Sequence, residues 1–172
     1  ARKASRRLVR DFGEVENLQV SRKGPSDFVT AADIRTDEML RDLLLQARPD
    51  FGFLTEKNKE MVGNDGRRRW IIDPVDGTIN FLHGIPMFAI SIALEEFGEI
   101  TSGLVYAPIP DEMFWAEKGQ GAYLNNRRLR VAARRQIGDA VIGTCIPHSG
   151  RSDNPSYPKE VLAIADVCAG IR

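Results

Sequence analysis

The chain has 172 residues, 42% hydrophobic and 28% charged, and its 24 basic side chains balance 24 acidic ones. These values suit a soluble globular protein of one domain or one and a half, and zero net charge excludes a general electrostatic pull toward nucleic acid or membrane. No apolar stretch approaches the ~20 residues that span a bilayer. The opening "ARKASRRLVR" lacks the apolar segment of a signal peptide. Two cysteines, Cys145 and Cys168, form neither a metal-ligand spacing nor a disulfide framework, which fits a reducing cytoplasm.

Residues 1–16 read as an amphipathic helix with Ala1, Ala4, Leu8 and Phe12 on one stripe and arginines around the rest. "SRKGPSD" at 21–27 reads as a loop. A second helix is expected from about Ala32 to Gln46, with Ile34, Met39, Leu40, Leu43 and Leu44 inward, and Pro49 beyond its end. "FGFLTE" at 51–56 is a short strand, and "WIID" at 70–73 is another after a polar loop. From Phe88 the period becomes two: Phe88, Ile90, Ile92 and Leu94 mark a half-buried strand. "EEFGE" turns the chain into "ITSGLVYAP", and "EMFWAE" and "GAYLNN" continue an antiparallel meander. "AVIGTC" at 140–145 suggests a fresh strand and "YPKEVLAIADVCAG" a following helix. The expected class is α+β, with an amino-terminal domain over 1–135 and the start of a second α/β unit over 136–172.

The chemistry concentrates in "DPVDGT". An apolar strand delivers Asp73, Pro74 fixes the backbone, and Asp76 returns a second carboxylate to the same small volume. Like charges so placed repel unless a cation holds them. Oxygen donors without His or Cys select Mg²⁺ or Mn²⁺ over zinc, and the Val75 carbonyl supplies a third oxygen. Gly77 and Thr78 expose backbone N–H groups where a helix at 78–83 begins, an arrangement suited to phosphate. Carboxylates for a metal followed at once by a phosphate cradle point to metal-assisted phosphoryl hydrolysis. Asp-Gly and Asp-Pro pairs are also ordinary turn formers. "DFVTAAD" (Asp27, Thr30, Asp33) and Glu56 at a strand end have structural readings too, Thr30 as a helix cap among them. Together these acidic sites at element ends favour the chemical reading.

"DFVTAAD", "GFLTE" and "WIIDPVDGTINF" resemble, in order and spacing, the three amino-terminal signatures of the inositol monophosphatase family, and the strands after Pro86 are similar to that family as well. The resemblance implies a layered αβαβα fold, of which this chain holds the helix pair, the antiparallel sheet and the start of the next unit. It also implies Mg²⁺-dependent, lithium-sensitive hydrolysis of myo-inositol monophosphate or a similar small polyol phosphate. By position, Glu56, Asp73 and the Val75 carbonyl hold a first metal, and Asp73 and Asp76 share a second. Glu56 helps with a third, looser ion. Asp33, Glu56 and Thr78 act on the attacking water, the Gly77 and Thr78 backbone binds phosphate, and Lys23 closes over the site. Family members are commonly homodimers. Three departures stand out. Lys57 replaces a Glu after Glu56, Ile79 replaces the second Thr of "DGTTNF", and the chain reaches Arg172 before the "WDxAAG" segment that carries a further metal-ligand Asp. A chain ending there is expected to turn over poorly.

His83 and His148 are expected to have no catalytic part, since metal-activated water supplies the nucleophile. The basic runs "ARKASRRLVR" and "NNRRLRVAARR" read as solvated cations, Trp70, Phe114 and Trp115 as core, and both cysteines as small buried hydrophobes. The competing reading, also implied by the resemblance, is a regulatory binding protein of the extragenic suppressor type that engages the transcription machinery. A pseudoenzyme is disfavoured by the joint presence of Asp33, Glu56, Asp73, Asp76 and Thr78.

Overall fold

A stripe of Ala4, Leu8, Phe12 and Val15 explains why the first segment is helical and which side it buries. In the computed structural model this is α1 (Arg2–Leu18), with Ala4, Leu8 and Val15 buried and Phe12 packed on the core. The structure describes residues 1–18, 25–55, 60–145 and 155–172. The chain divides into two units, Ala1–Leu129 and Arg130–Arg172.

The second helix, α2 (Pro25–Ala47), starts seven residues before the expected Ala32. Residues 25–27, expected in a loop, are therefore helical. The Gly-Pro pair marks the start of the helix, because proline has the right φ for a first turn and its missing N–H is not needed there. Thr30 lies inside the helix, which rules out the capping reading. The inward stripe is also corrected: Ile34 is 46% exposed and Met39 is exposed too, whereas Ala32, Asp33, Thr36, Asp37 and Leu40 are buried. Arg35 of α2 donates to Asp11 of α1 at 2.8 Å and ties the helix pair together.

Seven strands form one mixed sheet in sequential order: β1 (Gly52–Thr55), β2 (Arg68–Asp76), β3 (Ala89–Glu96), β4 (Glu99–Ala107), β5 (Glu112–Glu117), β6 (Gly121–Leu124) and β7 (Arg127–Arg128). The strands from β2 onward pair antiparallel as the period-two pattern predicts, but β1 runs parallel to β2, with Thr55 opposite Ile72. β3 and β4 meet in a two-residue turn, Phe97-Gly98, where both residues have positive φ (54° and 81°), the twist that such hairpins favour.

The core lies between the helix pair and one sheet face. Phe53, Ile72, Ile90 and Ile92 come from the strands and Leu8 and Leu40 from the helices, each buried side chain contributing about 1.5–3 kcal/mol. Phe81, from α3 (Thr78–Leu82), is fully buried against Phe12 and Phe88, with ring centroids 5.5 and 4.9 Å away. Phe114 and Trp115, expected as core, are each 37% exposed on β5, where Trp115 stacks on Tyr123 at 4.4 Å.

β8 (Val141–Ile142) and β9 (Gly170–Ile171) pair in parallel, and α4 (Tyr157–Ala165) lies between them in sequence, as parallel pairing requires a crossover. The strand is shorter than the expected 140–145, and the helix ends at Ala165 rather than running to Gly170. Cys145 is exposed and Cys168 half-buried, so neither is the buried hydrophobe expected.

Candidate functional site

Everything the sequence placed in "DPVDGT" sits on one bulged turn. β2 does not stop at Asp73 but continues to Asp76, with a register shift against β3: Asp73 pairs with Ser91, and Asp76 with Ala89. The one extra residue at the shift bends the strand, as β-bulges do. Pro74 and Val75 are buried and anchor the bend, while Asp73 is half-buried and Asp76 exposed. The Val75 N–H donates to Asp73 Oδ1 at 3.2 Å, so one carboxylate oxygen fixes the turn it belongs to.

Gly77 then takes φ 89° and ψ 36°, the left-handed region. A Cβ there would also stand 2.9 Å from the Met87 carbonyl oxygen, so conformation and space both demand glycine. The Gly77 carbonyl accepts from Phe81 N–H at 3.0 Å, the first bond of α3. The Thr78 hydroxyl donates to the Val75 carbonyl at 3.0 Å and closes the turn on itself. Asn80 Nδ2 donates to the Met87 carbonyl at 2.7 Å and straps the following loop to α3. Sequence reasoning missed Asn80, and its place in "DGTINF" was the available signal.

Asp33 arrives from elsewhere. It is only 2% exposed, on the face of α2 buried with Thr36 and Asp37, and α2 packs against both β2 and α3. On that face the Thr36 hydroxyl donates to the Ala32 carbonyl at 2.8 Å and the Asp37 carboxylate has the Arg41 guanidinium 3.9 Å away. Asp37 was also missed, although its i+4 spacing from Asp33 places both on one face. β1 ends at Thr55, opposite Ile72, the residue before Asp73, while β2 runs on to Asp76. Glu56, Lys57, Lys23 and His148 lie outside the described residues. The side chains of Asp27 and Thr30 do too. His83 is exposed.

The donors present suit a hard cation. Asp73, Asp76 and the Val75 carbonyl are all oxygen. The Asp73 bond to Val75 N–H and the Thr78 bond to the Val75 carbonyl each leave lone pairs available. Among the described residues no three His, Cys, Asp or Glu side chains gather as a metal cluster, so this turn offers a carboxylate pair and a carbonyl. An apolar groove of about 300 Å³ over β3–β6 is lined by Ser91, Gly103, Phe114 and Ala122 among others, and Ser91 is the cross-strand partner of Asp73. The groove has no charged residue in its lining.

The model of the inositol monophosphatase family matches residues 1–170. A curated "Inositol-1-monophosphatase" of Rhizobium meliloti (strain 1021) is 55% identical over 170 residues, covering 99% of this chain and 64% of that protein. A "Nus factor SuhB" of Vibrio cholerae is 35% identical over the whole chain and 64% of its own length. Among solved structures, the native extragenic suppressor protein suhB from Bartonella henselae superposes with a TM-score of 0.88 at 52% identity, covering 100% of this chain and 66% of that one. The chain thus spans about 64% of the length of the curated relatives it matches.

Proposed function

The chain belongs to the inositol monophosphatase family, and from that premise we propose that its protein is a Mg²⁺-dependent phosphomonoesterase acting on myo-inositol monophosphate or a similar small polyol phosphate. The observation that carries this reading is the bulged turn that sets Asp73, the Val75 carbonyl, Asp76, Gly77 and Thr78 on one short arc. The proposed metal ligands are Glu56, Asp73, the Val75 carbonyl and Asp76, holding two to three Mg²⁺ ions. Bound there, Mg²⁺ would neutralise phosphate charge and acidify water.

The chain's own groups do the rest. The Gly77 and Thr78 N–H groups would bind phosphate oxygens at the start of α3. Asp33 and Glu56 would take the proton of the attacking water. The Thr78 hydroxyl would orient that water, itself aimed by the Val75 carbonyl at 3.0 Å. Lys23 is proposed to close over the bound phosphate. Lithium inhibition, a homodimer and a cytoplasmic setting complete the proposal. Among the described residues no helix is long and apolar enough to cross a membrane.

The deciding experiment is phosphate release from inositol 1-phosphate by the full-length protein, with and without Mg²⁺ and with added Li⁺, beside a folded Asp73→Asn variant. Turnover that needs Mg²⁺, falls with Li⁺ and disappears in Asp73→Asn is expected; no turnover on that ester or on a panel of phosphomonoesters sinks the reading. A second reading, a transcription-associated binding protein, draws on the relatives named Nus factor SuhB. At 35% against 55% identity they support it less than the phosphatase reading. Capture of transcription partners that survives Asp73→Asn would favour it.

A further inference from the structure

Trp70 of β2 and Trp115 of β5 line a second, smaller groove of about 210 Å³, floored by Leu94, Ser102 and Leu104 of β3 and β4. The register puts these side chains on one sheet face. Trp70, Leu94, Ser102 and Glu117 pair across four strands, and Leu104 pairs with Trp115 two residues along. Each tryptophan is backed by a further ring on the side away from the floor. Phe51, just before β1, lies 5.8 Å from Trp70, and Tyr123 of β6 stacks on Trp115 at 4.4 Å with the planes 12° apart. Because Tyr123 covers the β6 side of Trp115, the other ring face is the one turned toward β4 and the groove. The Trp115 N–H donates to the Asn125 carbonyl at 3.0 Å, so toward the groove this wall offers π surface.

Glu117 supplies the only charge in that lining. Among the described residues no cation pairs with its carboxylate, and the neighbouring Lys118 is bonded to Glu99 instead. Aromatic ring faces attract cations, and a carboxylate at the same groove adds to the attraction and repels anions. A hard metal ion needs six or so oxygen donors, far more than one carboxylate and one hydroxyl. A primary ammonium is strongly hydrated and loses that water on entering. A quaternary ammonium spreads its charge under methyl groups, and these suit ring walls over a leucine floor. The groove is smaller than the ~300–1,000 Å³ of pockets for drug-sized ligands, so the ligand is small. We propose that this groove binds a small organic cation of the quaternary ammonium kind between Trp70 and Trp115, with Glu117 as its counter-charge. None of the lining belongs to the turn at residues 73–78, and this binding is independent of the phosphatase reading.

The test titrates the full-length protein with choline chloride at constant ionic strength, read by calorimetry and by the indole N–H signals of Trp70 and Trp115. 3,3-Dimethyl-1-butanol, the neutral isostere of choline, is titrated beside it. Choline should bind saturably with a Kd on the order of 1–10 mM, shifting both indole signals, and the alcohol at least about threefold more weakly. Trp115→Leu should weaken choline about 3–30-fold, the effect of one cation–π contact. Glu117→Gln, at an exposed position, should weaken it about two- to fivefold, as a solvent-facing charge does. Asp73→Asn should leave choline affinity unchanged.

Should Trp115→Leu fail to fold, Trp115→Phe keeps a smaller ring and should still weaken choline measurably, and Glu117→Gln reads the charge without touching the walls. Absence of saturable choline binding below about 100 mM overturns the site, since contacts of this kind predict tighter binding. The alcohol binding as tightly as choline overturns it too, because the groove would then be an apolar slot with no preference for charge. Loss of choline binding in Asp73→Asn places the cation at the acidic turn and removes it from this groove.

Discussion

At Gly77 two independent constraints coincide, a φ of 89° and a carbonyl oxygen 2.9 Å from where a Cβ would stand. Gly77→Ala should therefore lower stability by about 1–3 kcal/mol, read by urea unfolding, and reduce phosphate release along with it. Thr78 is a different case. Its hydroxyl makes one bond, to the Val75 carbonyl, so Thr78→Val keeps the shape and removes the orienting group. On the proposed mechanism kcat falls about 10²–10⁴-fold, the range for a positioned proton-transfer group, with the unfolding midpoint nearly unchanged. Ile79, where the family pattern has threonine, is 53% exposed. Ile79→Thr should leave stability within about 0.5 kcal/mol by the same assay, as surface substitutions do. That a turn lies here could be read from sequence because proline and glycine act on their immediate neighbours, whereas the bulge that carries β2 on to Asp76 and the Thr78 bond to Val75 could not.

Elements behave otherwise, because their limits and faces depend on what they meet. The apolar stripe expected on α2 places Ile34 and Met39 inside, yet the buried side holds Asp33, Thr36 and Asp37. A hydrophobicity pattern cannot find a face that is buried for polar reasons. The parallel direction of β1 was equally hidden, since a four-residue strand carries no directional signal of its own. A tight backbone crossing holds it: a Cβ on Gly52 would meet the Met61 carbonyl oxygen at 2.5 Å and Gly63 N at 2.8 Å. Gly52→Ala is thus expected to cost about 1–3 kcal/mol, measured by urea unfolding, from overpacking against backbone that cannot yield.

The start of α1 is tied to the β4–β5 hairpin by Arg2 and Tyr106. Tyr106 donates to Asp111 at 2.7 Å, and the Arg2 guanidinium stands 3.3 Å from the same carboxylate. First the tyrosine hydrogen bond and then the Arg2 charge hold Asp111 below its ordinary value of 3.8. A carboxylate depressed in the folded state stabilises above its unfolded pKa, and that contribution is lost as pH falls through the folded value. Asp111→Asn should flatten the acid limb of stability below about pH 4, read as unfolding midpoint against pH.

For the molecule as a whole, the aromatic group of Phe12, Phe81 and Phe88 joins α1, α3 and the residue just before β3, and Phe81 is fully buried. Phe81 follows Thr78 by three residues, so the turn at residues 73–78 is pinned by the core. Residues 78–82 come from one short helix and 12 and 88 from distant positions, and nothing in the spacing announces that they meet. The sequence by itself determined the α+β class, the antiparallel meander and the turn at "DPVDGT", because strand period and turn residues are local properties. Tertiary structure alone decided that α2 turns Asp33 and Asp37 inward beside Leu40, and Ile34 and Met39 outward, and that β1 lies parallel to β2. It also decided that Phe114 and Trp115 stay at the surface. Each of those outcomes is set by the partner surface an element packs against, and that surface is assembled from residues far away in the chain.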